Sequence, residues 1–486
     1  MARRTSILLA VLCLVLTSIP AVAAQQAKPI EGWLSILWGD YPSEAIPAHR
    51  KLILATDAGE SVELRMSDEL LQGGVFRWNN QRVRVYPAPG ENFAGASEIQ
   101  VGAIQLIGTA DAAGGTAEIA GGISGSQPWI SLLCKYSDVA AEPRDLAYFQ
   151  GMYANSPGGV DHYWREVSLG EADVLGSMAI DWVTLPGTQA SYVPTPGSGT
   201  SANLNAIFND CTAAVDDVVD FGGGGTPFVG INLMINDLLD CCAWGGSRFT
   251  TLDGITKSWR TTWNPPWAFT NVSVIAHEMG HGFGLPHANN FDGDSNPYDS
   301  PWDVMSSSSG YSTNDPVYGN RGKHINAYHK DRLGWFPGAR RFQAPDNSQT
   351  TIELDHTAIS GASNYQIAII PISATHWYTV EARLRTGDYE ASLPGNAVII
   401  HEVRTNRSEP SWAVDEAVPP ANYGDNDGTM WVPGETFEDV ANNISVTVES
   451  ATANGFEVTI ENDFMDEVFV DGFETGDTSQ WTVPDP

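Results

Sequence analysis

Residues 277–287 read His-Glu-Met-Gly-His-Gly-Phe-Gly-Leu-Pro-His, and no other stretch constrains the fold and chemistry of this chain as tightly. His277 and His281 are four apart, so on a helix they share one face, a turn from each other. From there both rings can reach a single zinc ion at about 2 Å. The preceding segment, Thr270 to Ala276, offers a Thr or Asn as a cap and then an apolar run, which predicts a helix. Glu278 follows the first imidazole directly, so it sits beside the metal rather than on it, placed to take a proton from water and later return one to a leaving amine. Gly284 can adopt a positive φ and turn the chain away from the helix, which swings His287 back as a third ligand. Three protein ligands leave a fourth position open, as a catalytic zinc needs and a structural one lacks. The competing reading is a chance string that serves packing. In a chain with only 10 His, it would have to supply Gly284 and His287 at the required spacing as well.

The eleven-residue pattern H-E-x-x-H-x-x-G-x-x-H resembles that of the metzincin metallopeptidases, and Pro301-Trp-Asp-Val-Met305-Ser is similar to the methionine turn of that group. The resemblance implies that Met305 supports the site without ligating zinc; the alternative is ordinary core packing. Ser307 stands where some metzincins carry a tyrosine ligand, and Tyr311 lies further along, so that role is not carried over. Tyr163-Trp-Arg-Glu-Val-Ser168, Cys242-Ala-Trp-Gly-Gly246 and the stretch from His324 to Trp335 look most like bacterial relatives of gametolysin, with a weaker likeness to immune inhibitor A. The resemblance implies a secreted zinc-dependent endopeptidase that hydrolyses protein or peptide substrates, with an extended substrate pairing along a strand near Trp244-Gly-Gly246. A different class of function is a catalytically dead surface adhesin or glycan-binding protein on the same scaffold, which the 16 Trp suggest and the retained Glu278 opposes. A serine hydrolase is disfavoured because no G-x-S-x-G elbow occurs.

The start of the chain has the order of a secretory signal: Met1-Ala-Arg-Arg, an apolar run from Ile7 to Leu16, then small residues to Ala24. The expected product is an extracellular protein of bacterial type. The run is shorter than the roughly 20 residues that span a bilayer, and no later segment is apolar for long enough, so stable membrane insertion is not expected. Loss of the signal removes Cys13 and leaves Cys134, Cys211, Cys241 and Cys242 in an oxidising compartment. Three pairings are possible. A bridge between neighbours would close a strained ring, so Cys241 and Cys242 are each expected to bond a distant partner. A formal charge of −34 repels phosphates, and nucleic acid is not an expected partner. Nothing in the sequence indicates the oligomeric state.

Short β-prone runs, 48 Gly and 29 Pro point to a multidomain α+β protein rather than a helical bundle. The expected order is a signal peptide over 1–24, a small N-terminal β domain over 25–107 (a barrel or sandwich) and a Gly/Ala-rich linker over 108–127. A metzincin-like α/β catalytic domain over 128–343, a C-terminal β-sandwich over 344–462 and an acidic tail over 463–486 follow. The N-terminal domain has no cysteine to block a metal and reads as a removable or inhibitory segment. Leu204, Ile207, Phe208, Cys211 and Val215 recur at helical spacing, predicting a helix that buries Cys211. Asp292, Asp294, Asn296 and Asp299 offer closely spaced oxygens to Ca2+, although acidic turn residues are common in loops. His324 and His329 are candidates for lining a cleft.

Overall fold

The computed structural model describes residues 28–463 apart from 42–47, 72, 94, 109–121, 223–227, 293–295 and 421–424. The expected signal peptide, most of the linker, Asp294 and nearly all of the acidic tail lie outside the described residues.

The run Ile30–Asp40 is apolar on both faces, as a strand buried on both sides must be, and it is buried from Gly32 onward. One edge pairs antiparallel with His49–Thr56 over residues 32 to 39. The other edge changes partner along its length, pairing with Gln81–Pro87 over 30 to 34 and then with Ala243–Leu252 over 37 to 40. At the changeover the Ile36 N–H donates to Asn79 Oδ1 at 3.0 Å, so the backbone donor between the two partners is satisfied. Ser61–Arg65 and Glu98–Gly108 complete a ring of five strands that closes on itself as a small barrel around Leu34, Leu54, Val83, Val85 and Ile99.

Through that shared strand the barrel is continuous with a central sheet, giving ten strands in all. Beyond Ala243–Leu252 come Ile255–Asn264, Gly230–Ile235, Trp129–Lys135 and Met178–Thr184. These four run parallel to one another, while Ala243–Leu252 is antiparallel to its hairpin partner. Helix Leu204–Ala214 lays Leu204, Ile207, Phe208 and Cys211 on one face of the sheet, the residues whose spacing predicted it. On the other face Trp129, Phe149, Trp164, Ile275, Met279, Phe283 and Met305 form a second core around helix Val272–Gly282.

The cysteines depart from expectation. Helix Leu204–Ala214 packs over Trp129–Lys135 and brings Cys211 onto Cys134, and these two form a disulfide. Among the described residues Cys241 and Cys242 then have only each other, and they are bonded as neighbours just before strand Ala243–Leu252. The packing of one helix decides the pairing, and ring strain does not prevent it.

Two further sheets enclose a third core. Arg341–Gln343, Ile367–Ser373, His376–Arg383, Ala397–Arg404, Ser411–Ala413 and Ala288–Asn290 make a six-stranded sheet, and Ser348–Asp355, Thr436–Asp439, Ile444–Ala451 and Gly455–Asn462 a four-stranded one. Val380, Ile400, Val446 and Val458 meet between them. The chain is thus a mixed α+β protein built mostly of strands. Among the described residues no helix is long and apolar enough to cross a membrane.

A buried ionic group ties the six-stranded sheet to the central region. Arg383, fully buried, pairs with Glu390 and Glu381 and donates to the Trp302 carbonyl at 2.5 Å. Glu381 also accepts the Ala327 N–H at 2.9 Å. Removing one member of such a group leaves an unpaired charge in a dry site, and that penalty exceeds the loss of one contact. Arg383→Ala should therefore lower unfolding free energy by about 3–5 kcal/mol, measured by urea denaturation. A loss below about 1 kcal/mol would mean that water already screens the group.

Candidate functional site

Every residue of helix Val272–Gly282 is buried. It lies between the central sheet and the segment that carries Val304 and Met305. Asn271 occupies the N-cap position but its side chain does not cap. Its amide donates to the Trp267 carbonyl and its oxygen accepts the Asn320 N–H instead. The first helical N–H, that of Val272, is taken by the Tyr318 carbonyl at 2.9 Å. The end of the helix follows the sequence reading: Gly284 has φ +86°, and the Leu285 N–H returns to the Gly280 carbonyl. That turn carries His287 back over the helix.

The three imidazoles converge. Nε2 of His281 lies 3.1 Å from that of His277 and 3.2 Å from that of His287, and the remaining separation is 3.3 Å. Metal–nitrogen bonds of about 2.0–2.1 Å in a tetrahedron place nitrogens about 3.3 Å apart, so the spacing fits one common ion. The opposite nitrogens account for the orientation. His277 Nδ1 donates to the Val304 carbonyl at 2.7 Å and His281 Nδ1 to the Leu285 carbonyl at 2.8 Å. A proton held on Nδ1 leaves Nε2 with a lone pair, and lone pairs that face each other repel unless a cation lies between them. Burial also pulls His281 down to about 3, which keeps it neutral and available as a ligand.

Met305 lies beneath the helix, so close that a Cβ added to Gly280 would stand 2.4 Å from its sulfur. Its turn is held by Asp303, which accepts the Met305 N–H at 2.7 Å, the Asn326 N–H at 3.0 Å and His329 Nδ1 at 2.6 Å. His329 thus fixes the turn instead of lining a cleft. His324 is also buried and sits against Lys330 and Glu166.

A fourth group enters that the motif does not contain. Asp40, the last residue of strand Ile30–Asp40, lies with Oδ1 2.8 Å from His287 Nε2 and 3.4 Å from His277 Nε2, while Oδ2 lies 3.4 Å from His281 Nε2. Asp40 and the three histidines form a buried group able to hold a metal ion. Tyr298 donates to Asp40 Oδ1 at 2.6 Å, and Trp38 stacks on the His281 ring at 5.4 Å. Burial would raise the Asp40 carboxyl, but His277 and His287 outweigh it and hold it well below its ordinary value. For His277 burial acts to lower the imidazole, yet Asp40 prevails and raises it.

Glu278 turns toward the same centre without joining the ligand set. Burial, then the negative Asp40 beside it, pushes its carboxyl well above the usual range. Neither of its oxygens has a hydrogen-bond partner among the described residues. Gly245 makes room for it, because a Cβ there would meet Glu278 Oε2 at 2.7 Å. Asp40, Trp267, Asn271, Glu278, Tyr298 and Ser309 line an adjoining cleft of about 530 Å³.

Of the residues expected to offer calcium ligands, Asp294 lies outside the described residues. Asn296 accepts the Tyr298 N–H, Asp299 is buried and Asp292 is half-buried. Among the described residues the second group able to hold an ion is His162, Glu166 and Asp388.

Close packing of Met305 against the helix makes these two elements energetically dependent. Gly280→Ala should cost about 1–3 kcal/mol by overpacking, and Met305→Ala about 2–5 kcal/mol by leaving a cavity. The double variant should fall short of the sum by about 1 kcal/mol or more, because the cavity accepts the new methyl. Strict additivity in chemical denaturation would show that the two do not touch in solution.

No family model matches the chain, and no curated protein matches it.

Proposed function

We propose that the chain is a secreted zinc-dependent endopeptidase of the metzincin type, acting on protein or peptide substrates. The reading rests on one arrangement above all: three imidazoles facing a common point, two of them tethered to backbone carbonyls, with the Glu278 carboxyl beside that point and off the ligand set. His277, His281 and His287 would hold the ion. A nitrogen-rich, tetrahedral donor set suits zinc better than the hard, oxygen-seeking cations. Bound there, zinc supplies a Lewis acid that polarises a carbonyl and lowers the pKa of water.

The rest of the chemistry belongs to the chain. Glu278 accepts the proton of the attacking water and passes it to the departing amine, so one carboxylate serves both halves of the hydrolysis. The buried surroundings exclude bulk water and strengthen each electrostatic contact within the site. Strand Ala243–Leu252 runs beside Glu278, where an extended peptide would be held against its backbone. The intact Glu278 also weighs against the alternative of a dead adhesin on this scaffold.

Glu278→Ala should lower casein or gelatin hydrolysis by the secreted protein about 10²–10⁴-fold while one equivalent of zinc stays bound. Hydrolysis undiminished by the substitution, or a wild-type protein that takes up no zinc, would sink the reading.

A further inference from the structure

Over its last four residues strand Ile30–Asp40 keeps one edge on the barrel strand His49–Thr56 as far as Gly39 and turns the other to the very strand that flanks Glu278. Leu37 lies opposite Gly246, Trp38 opposite Gly245, Gly39 opposite Trp244 and Asp40 opposite Ala243. A strand edge beside a catalytic centre carries unpaired N–H and C=O groups that recruit an extended peptide. Here those groups are already taken by the chain itself.

The fit is built into the sequence on both sides. A Cβ on Gly39 would stand 2.7 Å from the Trp244 ring, and one on Gly246 would stand 2.3 Å from the Ile36 carbonyl oxygen, so both positions need glycine for the strands to come this close. Trp38 covers the His281 face, Tyr298 aims Asp40 by its hydroxyl, and Asp40 is only 5 % exposed. Its carboxylate is within 3.4 Å of all three imidazole Nε2 atoms. The same site thus holds three nitrogen donors and one carboxylate oxygen donor, a complete tetrahedral set for a divalent ion.

Building on the peptidase reading, we infer that Asp40 is the fourth protein ligand of the metal and that residues 37–40 occupy the substrate groove, so that the chain with its N-terminal barrel in place is the latent form of the enzyme. Asp40 takes the coordination position that water needs, and the strand takes the backbone edge that the peptide needs. Both obstacles belong to one segment, so its departure relieves them together. No thiol takes part.

The full chain, loaded with Co2+ in place of zinc, tests this by visible absorption and by titration with a small hydroxamate, alongside cleavage of a fluorogenic peptide. Asp40→Ala should keep one equivalent of metal and change the Co2+ ligand-field spectrum. It should also bind the hydroxamate at least about tenfold more tightly than wild type, because the competing ligand is gone. Peptide cleavage should rise by a similar factor. Asp40→Asn, nearly isosteric, guards against misfolding and should shift the spectrum in the same direction. A spectrum and hydroxamate affinity unchanged in both variants would overturn the assignment of Asp40. A changed spectrum and tighter hydroxamate binding without any hydrolysis would leave Asp40 as a ligand and overturn the peptidase reading and the latency built on it. Failure of wild type and both variants to bind any divalent ion would overturn the metal site itself.

Discussion

The arrangement of this protein depends on two backbone carbonyls, those of Val304 and Leu285, each holding an imidazole proton on its outer nitrogen. By fixing which nitrogen carries hydrogen, they turn two buried rings into lone-pair donors that must share a centre. Leu285 lies within the turn that Gly284 opens, and Val304 lies beside Met305, so the ligands are aimed by the segments that cap and underlie their own helix. Asp303 then holds the Val304–Met305 turn through His329 and the Asn326 backbone. Through Trp302 and Arg383 the support reaches the six-stranded sheet. The sheets beyond residue 340 therefore belong to the scaffold of the site.

What could be read from sequence was local. The helix, the Gly284 turn and the convergence of His277, His281 and His287 follow from eleven consecutive residues, in which spacing alone fixes the relative directions of side chains. The helix burying Cys211 and the strands around Trp129, Ala397 and Ile444 follow from periodicity in the same way. Asp40 could not be found so. It acts on His287 across 247 positions, and the local sign is no more than a carboxylate closing a largely apolar strand, which many strand ends show.

Other differences have the same physical origin. Asn271 was a sound cap by composition, but the Trp267 carbonyl and Asn320 claim its side chain, and the Tyr318 carbonyl reaches the helix end first. The cysteine pairing was judged by the strain of a small ring, whereas the packing of Leu204–Ala214 over Trp129–Lys135 removed the distant partners from reach. In each instance a tertiary contact outbid a local preference. His329, a candidate for the cleft on its position alone, is drawn under the Met305 turn by its pairing with Asp303.

The strand shared by barrel and central sheet also bears on how the chain is assembled. All five barrel strands lie between residues 30 and 108, so the barrel can close from nearby segments while later residues are still being synthesised. Residues 37–40, held along one edge by His49–Thr56, then offer their other edge when Ala243–Leu252 emerges some two hundred positions later. A pairing between strands remote in sequence is thereby reduced to docking one hairpin onto a template formed earlier.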